Sequence, residues 1–166
     1  PVDVIYNEDC LQGMTKLAAG SIDMILCDLP YGTTSNAWDT IIPFDKLWHQ
    51  YLRLITPTGA IVLTSNQRVT FQLYNSRPDL YRYKWVWIKN NATNFIKAHH
   101  RPMTAYEEVL VFSKASVSNQ PGQGMAYYPQ GLMPLNAVKK NSVGQTGNQV
   151  HDWNRPEEFV QEYTNY

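Results

Sequence analysis

The chain reads as an α/β protein: a mostly parallel sheet covered by helices, with an antiparallel pair of strands at one edge. Three observations carry that reading. Short apolar runs alternate with stretches whose apolar residues fall at three- and four-residue steps. The connections between them are short, as in strand–helix–strand units. The last two apolar runs follow one another with no helical stretch between them, which suits an antiparallel pair.

The elements follow in order. "VDVIYNEDC" predicts a first short strand ending at Asn7–Asp9, and "LQGMTKLAAG" predicts a helical turn or two closed by Gly20. "SIDMILC" is a second, buried strand that stops at Asp28. "FDKLWHQYLRLITPTG" places Phe44, Leu47, Trp48, Tyr51, Leu52 and Ile55 on one helical face, stopped by Thr-Pro-Thr-Gly. "AIVLTSN" is a third buried strand and "QRVTFQLYNSR" a helix. "YRYKWVWIK" and "EEVLVFSK" are strands joined by the loop "NNATNFIKAHHRPMTAY". From Ser116 to residue 150 Gly, Asn, Gln, Ser and Pro dominate, which predicts a long loop or a weakly structured recognition segment. "RPEEFVQEYTNY" could begin a helix. The organisation expected is a catalytic part over 1–115 and a loop-rich segment over 116–166.

At 166 residues the chain suits one domain with a sizeable core. No run of 18 apolar residues is present, which argues against a helical membrane span. The opening lacks the basic-then-apolar layout of a signal peptide. Two cysteines, Cys10 and Cys27, on or beside strands suggest an intracellular chain with reduced, packed thiols. No cysteine and histidine spacing suits zinc, and His99-His100 is too close-set, so no metal is expected.

The net charge is zero, but the charges are segregated. Residues 1–45 hold seven acids and one base; residues 77–101 hold six bases and one acid. The basic window also carries Tyr81, Tyr83, Trp85, Trp87 and Phe95. Charge for phosphates interleaved with flat faces for stacking suits single-stranded or flipped-out bases. A solvated strand with core aromatics would read the same way.

The stretch "CDLPYGTTSNAWD" holds the chemistry. A carboxylate at the end of a core strand lies where α/β sheets meet their ligands. Asp28 alone would equally suit a helix cap or turn. Its surroundings decide: "DLPY" at 28–31 resembles the Asp-Pro-Pro-Tyr signature of the amino-methylating DNA methyltransferases, which act on adenine N6 or cytosine N4. The wider block "NEDCLQGMTKLAAGSIDMILCDLPYGTTSNAWD" resembles the opening of that family. "GAIVLTSN" and "WVWIKNNATNFIKAHHRPMTAYEEVLVFSK" resemble it further on. The resemblance covers roughly residues 4–114.

What the resemblance implies is a Rossmann-like, S-adenosylmethionine-dependent methyltransferase sheet acting on double-stranded DNA. Asp28 and the Leu29 carbonyl would accept hydrogen bonds from the target amine, and Tyr31 would stack on the extruded base. Pro30 fixes the backbone, and Gly32 permits close approach. Asp9 and Cys10 would lie beside the donor's adenine, with Asp28 bordering both ligands. Asn90, Asn91, Asn94 and Phe95 would line the base pocket, with Phe95 opposite Tyr31. Lys97, His99, His100 and Arg101 would hold phosphates. Trp38-Asp39 carries no sharper assignment than ordering the loop, and Glu107 and Glu108 suit a structural role. Asp28 leans toward adenine, because the cytosine-N4 enzymes more often carry Ser there. Leu29 departs from the signature's first proline.

The family's donor-binding Phe-x-Gly-x-Gly turn has no counterpart, since Gly122-Gln123-Gly124 follows a proline in a loop. The expectation is therefore a catalytic half, with the sheet incomplete on the donor side and a second chain or a further C-terminal half supplying the rest. Three readings follow: an adenine-N6 (or cytosine-N4) methyltransferase, a non-catalytic DNA-binding remnant of the fold, and a related enzyme acting on RNA or a protein amide. Restriction-modification, mismatch marking and phage self-protection would look alike.

Overall fold

The computed structural model describes residues 3–118 and 124–130, together with the backbones of four short strands beyond them. Two compact units divide the chain, residues 1–126 and 127–166.

The first unit is built on a four-stranded sheet. Its elements are α1 (Cys10–Thr15), β1 (Ile22–Asp28), α2 (Phe44–Leu54), β2 (Ile55–Ser65), α3 (Gln67–Ser76), β3 (Tyr81–Thr93), a 3₁₀ turn (Phe95–Lys97) and β4 (Thr104–Phe112). The strand order is β1-β2-β4-β3. β1 and β2 pair in parallel, and β4 runs antiparallel between β2 and β3. Three strands therefore share one direction, with the antiparallel β3–β4 pair at one edge, as the sequence predicts.

Helical spacing explains the core. α2 turns Leu47, Trp48, Tyr51 and Leu54 inward, and α3 adds Val69 and Leu73. Leu47, Trp48, Tyr51, Val69 and Leu73 share one core cluster with Ile61, Leu63, Leu110 and Phe112, which project from alternate positions of β2 and β4. Trp48 packs edge-on against Phe112 with ring centroids 5.0 Å apart. Its indole N–H donates to Ser76 Oγ at 2.8 Å, so the buried ring keeps a polar partner. The Arg53 guanidinium donates to the carbonyls of Leu17 and Met14 at 2.8 and 2.6 Å, satisfying the chain that leaves α1.

Several expectations are corrected. Residues 3–9 form no strand: Val4, Ile5 and Tyr6 are exposed, and no strand among the described residues pairs with them. Strand formation needs a partner for the ladder, which an apolar run cannot supply for itself. β3 runs to Thr93 and β4 begins at Thr104, so the expected loop shrinks to residues 94–103. Pairing of Thr93 with Thr104 carries the ladder outward past Ile88 and Tyr106. Cys10 is exposed rather than packed, because it opens α1 instead of closing a strand, whereas Cys27 is half-buried.

In the second unit, Met133–Pro134 pairs with Tyr163–Thr164 and Val138–Lys140 with Glu158–Val160, both antiparallel. The expected C-terminal helix is thus replaced by two short strands. Ladder bonds to a distant segment satisfy this backbone where a short helix would leave most of its own groups unpaired. Residues 119–123 and 141–157, including Gly122 and Gln123, lie outside the described residues.

One close approach fixes the alignment of β1 on β2. The register shifts between Ile22↔Ile55 and Met24↔Ala60, so the Thr-Pro-Thr-Gly segment is taken up in a bulge. A Cβ at Gly59 would stand 2.6 Å from the Asp23 carbonyl and 2.8 Å from Ile55 Cγ1. Only glycine fits without moving one strand off the other. Gly59→Ala should cost about 1–3 kcal/mol in urea unfolding through overpacking. An unchanged midpoint would show that the two strands are not held this closely.

Candidate functional site

From that bulge onward the register is regular, ending with Cys27 opposite Leu63 and Asp28 opposite Thr64. Two parallel strands therefore end side by side on a carboxylate and a hydroxyl. Thr64 Oγ1 donates to Asp28 Oδ1. The Tyr31 hydroxyl donates to the same oxygen at 2.9 Å and lies 3.0 Å from Thr64 Oγ1. One carboxylate oxygen of Asp28 is thus engaged twice, while Oδ2 has no hydrogen bond among the described residues and the side chain is exposed.

Burial pushes the Tyr31 phenol well above its usual pKa, outweighing the lowering from the Thr64 hydrogen bond, and the hydrogen bond to Asp28 with the charges of Asp28 and Glu107 adds to the rise. Tyr31 is a neutral donor at any ordinary pH. Leu29, the departure from Asp-Pro-Pro-Tyr, is 6% exposed and belongs to the hydrophobic core. Its side chain anchors the loop in that core.

Beyond Tyr31 the chain turns sharply, with Gly32 at φ +63°. Asp39, only 8% exposed, closes this turn. Its Oδ1 accepts from the Gly32 N–H at 2.8 Å, and its Oδ2 accepts from the N–H groups of Thr33 and Thr34 at 2.8 and 2.7 Å. Burial works to raise the Asp39 pKa, but the N–H bonds, led by those of Thr34 and Gly32, outweigh it and hold the value at about 2.

Tyr31, Gly32, Thr33 and Ile41 form one wall of a cavity of about 260 Å³, and Asn66, Gln67, Arg68 and Gln72 form the other. Arg101 reaches this second wall, donating to Gln67 Oε1 at 3.4 Å. Lys97, His99 and His100 stand exposed on the same turn. Asn91 and Phe95 are also exposed; Phe95, at 78%, makes no ring contact with Tyr31. Asn94 takes the left-handed conformation at φ 71° and turns the chain into the 3₁₀ segment.

Asp9 caps α1, its Oδ1 accepting from Gln12 N–H at 3.1 Å, and Cys10 follows as the first helical residue. The basic window is less basic in space than in sequence. Lys84 pairs with Glu108, Lys89 with Glu107 and Arg77 with Asp79, while Arg82 is spent on the carbonyls of Ser113 and Ala115. Among the described residues, Lys97 and Arg101 on the 97–101 turn form no ion pair. Thr64, Asn66 and Gln67 escape a sequence reading of the site; the one signal was that "LTSN" turns polar at a strand end as "LCD" does.

Comparison with known proteins agrees at the level of fold. No family model matches the chain, and no curated protein matches it. Among solved structures it is similar to the PvuII DNA methyltransferase, described as cytosine-N4-specific, at 14% identity and a TM-score of 0.53. That match covers 72% of this chain and 58% of the other. It also resembles an M1.HpyAVI–SAM complex at 21% identity and a TM-score of 0.41, covering 63% of this chain and 49% of that one. A third similar structure is TTHA0409 from Thermus thermophilus, a provisionally assigned DNA modification methylase, at 15% identity, with a TM-score of 0.49 and 70% and 56% coverage. The chain has the α/β fold of the PvuII methyltransferase and spans 58% of its length.

The Asp39 carboxylate also sets a pH dependence. Its folded pKa of about 2 lies below its unfolded value, so its contribution to stability is fully present above about pH 4 and fades as pH falls through about 2. Wild type and Asp39→Ala should therefore differ in unfolding free energy by a constant amount between about pH 5 and 7, a gap that closes on acidification. A gap independent of pH down to about 2 would mean that the carboxylate charge does no work here.

Proposed function

We propose that this chain is the catalytic part of an S-adenosylmethionine-dependent DNA methyltransferase that modifies the exocyclic amine of an extruded base, adenine N6. The observation that carries the proposal is the carboxylate at the end of β1, with one oxygen fixed by Tyr31 and Thr64 and the other without a hydrogen bond among the described residues.

That asymmetry suits the chemistry. The lone pair of an exocyclic amine is delocalised into the ring, so the amine is a weak nucleophile. Acceptors placed at its N–H groups favour the pyramidal nitrogen that attacks, and fixed acceptors need no reorganisation as charge develops. Asp28 Oδ2 would take one N–H and the Leu29 carbonyl the other. The bonds on Oδ1 hold the carboxylate plane in place. The Tyr31 ring walls the cavity and offers a face for the base. Arg101 and Lys97 at the neighbouring turn suit the phosphates of double-stranded DNA, with His99 and His100 beside them.

S-adenosylmethionine would supply an electrophilic methyl group. Its cradle is not among the described residues: no glycine-rich turn follows a strand end there, and Asp9 already spends one oxygen on a helix cap. The proposal thus concerns the acceptor side of the reaction, the part that Asp28 and the Leu29 carbonyl would serve. The carboxylate at position 28 favours adenine; the cytosine-N4 description of one fold neighbour keeps N4-methylcytosine as the second product to look for.

Mixed-sequence DNA incubated with the chain and labelled S-adenosylmethionine, then digested for nucleoside mass spectrometry, tests this. Label should enter N6-methyladenine and fall by about 100-fold or more with Asp28→Ala, the scale of losing a preorganised transition-state contact. Label in N4-methylcytosine would keep the mechanism and change the base. DNA binding without transfer, unchanged by Asp28→Ala, would favour a binding module that reuses the fold.

A further inference from the structure

We propose that Asp39 is a positioning residue for the amine-accepting site, acting through the backbone of residues 32–34 to fix Tyr31 against Asp28. The role assigned to the site rests on the methyltransferase reading; the clamp itself rests on geometry alone.

Three successive N–H groups, those of Gly32, Thr33 and Thr34, converge on one carboxylate. Consecutive amides that point inward form an anion-binding concavity. In this loop the anion is a side chain of the same chain, five to seven residues away. The Asp39 N–H donates back to the Asn36 carbonyl at 3.0 Å, closing the loop on itself. No salt bridge involves Asp39 among the described residues, so its buried charge is balanced by backbone dipoles.

The consequence reaches Tyr31 directly. Gly32 is the next residue, and its positive φ leaves space that Ile41 Cγ1 approaches to 3.0 Å from a built Cβ. With residue 32 held from above by Asp39 and Leu29 held from below in the core, Tyr31 is suspended between two fixed points. Its hydroxyl can then reach Asp28 and Thr64 together. Without the Asp39 carboxylate, Gly32 would be free to rotate and would carry the Tyr31 ring off the cavity wall. The neighbouring Trp38 is 72% exposed.

The test uses the isotopically labelled 166-residue chain and its Asp39→Asn variant, whose amide offers a single acceptor oxygen. Amide hydrogen exchange at Gly32, Thr33 and Thr34 should accelerate about tenfold or more, the scale of losing one charge-assisted hydrogen bond. The Tyr31 ring resonances, assigned with Tyr31→Phe, should shift while amides of Ile61 and Leu63 stay protected. Faster exchange with an unmoved Tyr31 ring would overturn the positioning role, as would unchanged exchange. Should the variant fail to fold, the wild type decides: slow exchange at 32–34 beside fast exchange at Ala37 and Trp38 supports the clamp, and uniform exchange across the loop overturns it. In methyl transfer, Asp39→Asn should lower kcat with little change in KM for DNA. Absence of transfer by the wild type, whose donor cradle is not among the described residues, leaves the exchange result to judge the clamp.

Discussion

The parallel pairing of β1 with β2 is the constraint on which the site depends. A one-residue slip between the strands would reverse which side chains face the helices, and would also part Asp28 from Thr64. Two features oppose a slip: the apolar alternation that buries Ile61 and Leu63, and the bulge around Gly59 that admits no side chain. The alignment that builds the core thereby delivers a carboxylate and a hydroxyl to neighbouring strand ends, where open α/β sheets bind ligands.

Much of this was legible in sequence where the signal is local. The three- and four-residue spacing in "FDKLWHQYLRL" specifies α2, and the stop at Thr-Pro-Thr-Gly lies at its end. The run ending in "LTSN" specifies the central strand β2 and the run ending in "LCD" specifies β1, which lies at the sheet's edge. Non-local features were not legible. "VDVIY" has the composition of a strand yet stays exposed, because a strand is defined by its neighbour. The reach of β3 to Thr93 depends on pairing with Thr104, and the basic window loses Lys84 and Lys89 to acids on β4.

The site itself divides in the same way. Asp28 and Tyr31 stand out in sequence through the resemblance of "DLPY" and its surroundings to a known signature. Leu29 looked like a weakening of the signature, and its burial turns it into an anchor. Thr64 lies 36 residues from the carboxylate it touches, and only the strand register brings them together. Asp39 is close in sequence to the amides it binds. An acid among Thr, Ser, Asn and Trp nevertheless gives no sign that three N–H groups will converge on it.

The account's central claim is that Asp28 presents one free oxygen, held in place by bonds on the other, to an exocyclic amine. The direct measurement is a crystal structure of the chain soaked with 9-methyladenine and, separately, with 1-methylcytosine. The account predicts a base whose amine nitrogen lies about 3 Å from Asp28 Oδ2 and from the Leu29 carbonyl, with Tyr31 and Thr64 still on Oδ1. A base bound elsewhere at saturating concentration, or an Asp28 whose two oxygens are both taken up by the protein, would contradict it.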